Sequence, residues 1–328
     1  MTRGSLLDSE PMLRGVATTM GEPLDATRNR VLGEAVIRTL AYSAVFDFAM
    51  TRPELHRYLI GVRCGPDELG GLLDADGSLA ERVVSQGDLV TLRGREALFA
   101  TRAERNRATA RQWPTARRYA RAVASLPFVR MVAVTGGLAA GNAADGGDID
   151  LLVVTRTGRL WLSRASTIAI VRYAAWRGWD VCPNYFLTQR SVTLTDQDLY
   201  AASELVRMVP ISGHRAYLRM RARNGWTAGY FPNAAGGPAG AVDQPPLMRR
   251  LRGAAEWVLG MPPADLVEDW ERERKVARFV SQARAAGAAM DETAFGVDRC
   301  KGHFDAHRSR IREAYRLNAE AAGVEPIW

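Results

Sequence analysis

The spacing of apolar and polar positions divides the chain into segments of different period. Arg28 to Phe48 carries Val31, Leu32, Ala35, Val36, Leu40 and Val45 at helical intervals and predicts an amphipathic helix. Thr51-Arg-Pro-Glu54 is a capping box with a proline in the first turn, opening a second helix through Leu59. Ser78-Leu-Ala-Glu81 is another such box and predicts a helix to about Gln86. Asp88 to Phe99 reads as two short strands around an Arg93-Gly94 turn. Thr101 to Ala124 is helix-forming, with Pro114 as a candidate break.

The middle of the chain changes period. Phe128 to Thr135 is an apolar, β-branched run that predicts a buried strand, ended by Gly136-Gly137 and a short Leu138-Ala139-Ala140 helical turn. Asp148-Ile149-Asp150 leads into a second apolar strand, Leu151 to Thr155. Leu160 to Trp176 predicts a helix with Leu162, Ile168, Val171 and Ala175 inward, and Trp179 to Leu187 a third strand made irregular by Pro183. Leu194 to Val209 predicts a helix capped within Thr195-Asp-Gln-Asp198, with Leu199, Ala202, Leu205 and Met208 inward. Tyr217 to Trp226 predicts one more short helix. Phe231 to Pro246 is rich in Gly and Pro and reads as a linker. Beyond it, Leu247 to Leu259, Pro263 to Ala286 and Asp298 to Ala322 predict helices.

The chemistry concentrates around Gly136 to Asp150. Side chains on a strand alternate faces, so Asp148 and Asp150 point the same way while Ile149 enters the core. Two such carboxylates repel unless a cation sits between them, and a hard divalent ion such as Mg²⁺ suits them. The glycine step before a helix start offers backbone N–H groups to a phosphate. The chain has no G-x-x-x-x-G-K-[S/T], and Gly136, Gly137 and Gly141 do not form G-x-G-x-x-G.

This stretch resembles the signature of the DNA polymerase β-like nucleotidyltransferase superfamily: an apolar residue, Gly, Gly or Ser, about ten residues, then Asp-apolar-Asp. Gly136, Gly137 and Gly141 match its glycines, and Asp148 and Asp150 its metal carboxylates. Ala140 departs from a common Arg and Gly147 from a common Ser. The resemblance implies an α+β fold with a small mixed sheet flanked by helices. It implies two Mg²⁺ ions, an NTP donor (ATP by the family's habit), and transfer of a nucleoside monophosphate to an acceptor hydroxyl. Gly136 and Gly137 would approach the phosphates. Such enzymes carry a third metal-facing carboxylate on the following strand, where Asp180 is the only acid. Asn184 is the alternative oxygen donor at the nucleotide. Glu204 is a candidate general base.

The expected organisation is a loose leader at 1–27, a winged-helix-like unit at 28–103, the transferase core at 104–231, a linker at 232–246 and a helical unit at 247–328. Residues 78–99 are then a candidate DNA contact. Against it, Ser78 to Gln86 carries Arg82 as its one cation, beside Glu81, which favours a packing role. Arg107, Arg111, Arg118 and Arg121 fall on one arc of a continuous helix, a solvated face by default with phosphate contact as the alternative, and Arg159 and Arg164 could reach a triphosphate or form surface salt bridges. Cys300, His303 and His307 share a helical face at i, i+3 and i+7, a three-ligand metal candidate against the more usual reading of packed side chains.

Composition adds bounds. The 328 residues, 47% apolar, are enough to bury a sizeable core, and the net charge of +8 fits acidic partners such as nucleotides or nucleic acid. Only Lys275 and Lys301 are lysines, so the excess is arginine. Three separated cysteines argue against a disulfide framework and for a reducing compartment. No run is long and apolar enough for a bilayer, and no signal-type core opens the chain. The expectation is a cytoplasmic enzyme without a membrane partner, acting on an unidentified acceptor: a small molecule, RNA or protein. The competing expectation is a winged-helix nucleic-acid-binding or nucleotide-sensing regulator with an inactive transferase fold.

Overall fold

The computed structural model describes residues 21–75, 77, 79–237, 246–285, 294–301 and 307–328. The chain is an α+β protein with a three-stranded and a six-stranded sheet. Its first part runs α1 (Gly21–Ala44), β1 (Met50–Thr51), α2 (Arg52–Arg57), α3 (Pro66–Asp74), β2 (Val83–Gln86) and β3 (Leu89–Leu92). The strands form an antiparallel sheet ordered β1-β3-β2. The predicted capping box at Thr51 is present: its side chain accepts the Glu54 N–H and Glu54 accepts the Thr51 N–H. Two expectations fail here. The helix starts at Gly21, inside the expected leader, whose residues 1–20 lie outside the described residues.

The predicted helix to Gln86 is also absent. After a turn at 79–82 the chain enters β2, and the hairpin turns at Gly87-Asp88, not at Arg93-Gly94. Val83 and Val90 fill the core from this hairpin, so β-branched packing outweighs the local capping signal. Ser78, the expected cap, lies outside the described residues.

α4 (Ala97–Ala124) runs unbroken through Pro114. It is tied to the small sheet by Arg102, which is buried, donates to Glu54 at 2.8 Å and to the Ala49 carbonyl at 3.1 Å, and lies 4.1 Å over the Phe48 ring. There follow β4 (Val129–Val134), α5 (Gly136–Ala139), β5 (Ile149–Thr155), α6 (Leu160–Trp176), β6 (Val181–Thr188), α7 (Leu199–Arg207), β7 (Val209–Ser212), α8 (His214–Arg223) and α9 (Thr227–Tyr230). After α10 (Pro246–Val258) and α11 (Pro263–Ala285) come β8 (Ala294–Phe295), β9 (Arg299–Lys301) and α12 (His307–Ala321).

The large sheet is ordered β7-β4-β5-β6-β9-β8, antiparallel except for the β5–β6 pair. Val132, Leu151, Val153 and Phe186 face α4 and α6, while Met131, Leu152, Val154 and Leu187 face α7 and α8. The tail is thus not purely helical: Cys300 pairs its backbone with Phe186 and extends the sheet. That placement removes the helical Cys300-His303-His307 face, and His303 lies outside the described residues.

α6 keeps its predicted bounds but not its predicted face. Leu160, Trp161, Ser163, Thr167 and Ala174 are buried, whereas Ala175 is exposed. Trp161 sets the phase by filling the core beneath the sheet, with its indole N–H donating to the Gly296 carbonyl at 3.0 Å. A third core joins α1 and the small sheet to α7 and α12 through Leu40, Met50, Leu199, Val206, Tyr315 and Ala319. The two sheets are therefore bound by shared packing, with α7 between them. No described helix is long and apolar enough to cross a membrane.

Candidate active site

The site begins where β4 ends. Gly136 has φ +65°, and a Cβ there would stand 2.1 Å from Asp150 Oδ2. Glycine is required twice over, by the left-handed backbone and by the close approach. At Gly137 a Cβ would meet the Asn142 carbonyl at 3.1 Å. The turn folds tightly against β5, with the Thr135 N–H donating to the Asp150 carbonyl at 3.1 Å.

Asp148 and Asp150 lie on the same side, flanking buried Ile149, as strand alternation predicts. Their carboxylate oxygens and the Cys182 Sγ lie within 4.8 Å of one another. Cys182 stands opposite Asp150 in the parallel β5–β6 register. The register then slips between Asp150 and Leu152, at the Pro183-Asn184 irregularity. Asp180 precedes the strand, is exposed and belongs to no three-ligand group of this kind among the described residues. Its carbonyl accepts the Ile149 N–H at 2.9 Å. Asn184 reaches the cluster, donating from Nδ2 to Asp150 Oδ1 at 2.8 Å.

α7 brings a further acid. Glu204 Oε2 accepts the Gly136 N–H at 3.2 Å, so this donor of the glycine turn is already engaged. Burial pushes the Asp150 carboxyl up to about 8, with like charge on Asp148, Glu204 and Asp180 adding to it and the Asn184 amide opposing it. Burial also raises Glu204, against the Gly136 N–H, Arg207 and Lys301. The Cys182 thiol is pushed up to about 12, by burial first and then by the neighbouring aspartates. It is a neutral thiol at ordinary pH. The cluster therefore offers two hard oxygen ligands and one soft, protonated group. Paired carboxylate oxygens are the donors that a hard divalent ion takes.

Gly136, Gly137, Asp148, Asp150, Asn184 and Glu204 edge a cavity of about 580 Å³, a volume usual for small-molecule sites. Its wall includes Tyr42, Phe46 and Phe48 from the N-terminal part of the chain. Arg105, Arg207, Lys301 and Arg308 supply positive charge. Lys301 pairs with Asp196 at 2.7 Å, and Arg308 pairs with Asp198, the side chain that caps α7. Residue spacing did not point to these four cations, because they come from α4, α7, β9 and α12 and converge only through packing. Cys182 was within reach of sequence reasoning, since it shares strand parity with Asp180.

The arginines along α4 and at the start of α6 take the solvated and side-chain-paired readings, not the phosphate-contacting one. Arg159 pairs with Asp265 at 2.6 Å and Arg164 lies 4.7 Å over Phe279, both against α11. Arg107, Arg111, Arg118 and Arg121 are exposed along α4. Comparison with protein-family models, with curated proteins and with solved structures yields no match.

Proposed function

We propose that the protein is a Mg²⁺-dependent nucleotidyltransferase of the DNA polymerase β-like kind. The observation that carries the reading is the Asp148–Asp150 pair beside the Gly136-Gly137 turn at the edge of a cationic cavity. The strand order supports it: a strand, a glycine turn with a short helix, an antiparallel strand that carries Asp150 and is entered directly from Asp148, then a parallel strand. Asp148 and Asp150 would hold the ion, which when bound supplies charge neutralisation at the phosphates and lowers the pKa of the attacking hydroxyl. The protein's own part is positioning. Gly136 and Gly137 admit the phosphate chain close to the backbone. Arg105, Arg207, Lys301 and Arg308 draw a polyanion into the cavity. Glu204 must yield the Gly136 N–H before a phosphate oxygen can take it, and a carboxylate freed there is placed to accept a proton from the acceptor hydroxyl.

A second reading is a nucleotide-sensing regulator that binds without turnover. It is favoured by Cys182 at the register position opposite Asp150 and by Asp180 lying outside the cluster. The helix–strand–helix–helix–strand–strand order of residues 21–92 supports the winged-helix-like expectation. Its nucleic-acid arm is weaker. α3 carries Asp67, Glu68 and Asp74 and no cation, while Arg93 donates to the Glu81 and Ala80 carbonyls.

Incubation with ATP labelled on the α-phosphate and Mg²⁺ tests the proposal. Pyrophosphate release or self-labelling that Asp148→Ala and Asp150→Ala both abolish is the expected result. Mg²⁺-dependent ATP binding with no pyrophosphate from any acceptor class would support the regulator. No ATP binding at all would overturn both.

A further inference from the structure

Tyr42 of α1 lies in the core that α1 shares with α7, and it lines the cavity. Its ring is held edge-on between Phe46 and Tyr315, at centroid separations of 5.4 and 5.2 Å. The side chain is 4% exposed, and its hydroxyl has no hydrogen-bond partner. Ser203 of α7 is the neighbouring hydroxyl, yet it stands outside hydrogen-bonding geometry and already accepts the Arg207 Nε–H at 3.3 Å. With the ring packed on both sides, the Tyr42 hydroxyl cannot swing out to water. A buried polar group left unpaired costs free energy, so its presence at a cavity wall points to a second state in which it is paired.

Glu204 supplies that state. It follows Ser203 directly in α7. Burial raises the Tyr42 hydroxyl first of all, and the nearby Glu204 charge adds to it. Glu204 Oε2 now accepts the Gly136 N–H at 3.2 Å, the donor that a phosphate oxygen would claim. The cations around Glu204 are committed elsewhere. Arg207 lies 3.8 Å over the Tyr58 ring and donates to Ser203, and Lys301 holds Asp196 at 2.7 Å. We propose that Tyr42 is a positioning residue whose hydroxyl receives the Glu204 carboxylate when a nucleotide phosphate takes the Gly136 N–H. The exchange leaves no donor unpaired. The phosphate oxygen replaces the carboxylate at Gly136, and the carboxylate gains the Tyr42 O–H, a charge-assisted hydrogen bond out of water. It also ties α1, in the first part of the chain, to occupancy of the glycine turn. The inference rests on the transferase reading, which supplies the phosphate.

Tyr42→Phe keeps the ring and removes the hydroxyl, and two readouts on the full chain test the inference. One is urea denaturation without ligand. The other is calorimetric titration with Mg²⁺ and an ATP analogue bridged by methylene between its α and β phosphorus atoms, so that no turnover intervenes. The variant is expected to match or exceed the wild type in urea midpoint, since it loses an unpaired buried group, yet to bind the analogue about tenfold more weakly. A structural role for the hydroxyl would instead lower the midpoint. In a Glu204→Ala background, Tyr42→Phe is expected to leave binding unchanged, because the carboxylate that the hydroxyl serves is gone. Equal binding by Tyr42→Phe and wild type, a lower midpoint, or a binding loss that persists without Glu204 would each overturn the inference and leave the transferase reading standing. Failure of the wild type itself to bind the analogue would overturn that reading and this inference with it.

Discussion

Replacing Asp150 by Asn is expected to stabilise the protein in the absence of divalent ions while abolishing its response to Mg²⁺. The unfolded chain loses the Asp150 proton near the ordinary value of 3.8, whereas the folded chain keeps it to about 8. Between those values the folded state binds one proton more than the unfolded state. Stability therefore falls as pH rises through that window and levels off above it. At 1.36 kcal/mol per unit, a shift from 3.8 to about 8 sets a ceiling of about 6 kcal/mol. Solvent screening and local relaxation at the open side of the cluster reduce that ceiling, so about 2–3 kcal/mol is expected near pH 8.

The amide carries no charge to desolvate and keeps an oxygen for the Asn184 Nδ2 that now donates at 2.8 Å. Urea denaturation in chelator across the window reads the effect. The two proteins should coincide near pH 4 and diverge steadily to pH 8, the variant being the more stable. Adding Mg²⁺ should stabilise the wild type by mass action and leave the variant unmoved. Parallel pH profiles in chelator would refute the reasoning, because they would mean that Asp150 meets no like charge and no burial on folding.

Gly136→Ala is expected to cost about 1–2 kcal/mol from its left-handed backbone and to lose the Mg²⁺-induced rise in melting temperature, because its Cβ displaces Asp150 Oδ2. Gly141→Ala is the control: its φ of +75° brings a similar backbone cost, but a Cβ there meets nothing within 4 Å, so the Mg²⁺ response should survive. Arg102→Ala is expected to lower the urea midpoint by an amount equivalent to about 3 kcal/mol, since it leaves Glu54 and the Ala49 carbonyl without their buried donor. A loss under about 1 kcal/mol would show that water replaces the guanidinium freely.

What the linear chain determined about this protein is local. The Thr51 capping box, the bounds of α6, the Asp198 cap and the strand–glycine–strand run from Val129 to Thr155 follow from short-range periodicity and from backbone demands that any fold must meet. The common face of Asp148 and Asp150 follows in the same way, since strand parity needs no partner. Tertiary structure decided what depends on neighbours distant in sequence. It made 83–86 a strand, because β3 supplies the ladder and the core takes Val83. It rotated α6 to seat Trp161, and drew Cys300 into the sheet beside Phe186. The parallel β5–β6 register set Cys182 against Asp150, while α7 carried Glu204 to the glycine turn. Arg105, Arg207, Lys301 and Arg308 reach one cavity from four elements, since burial and charge pairing act through space and leave no periodic trace along the chain.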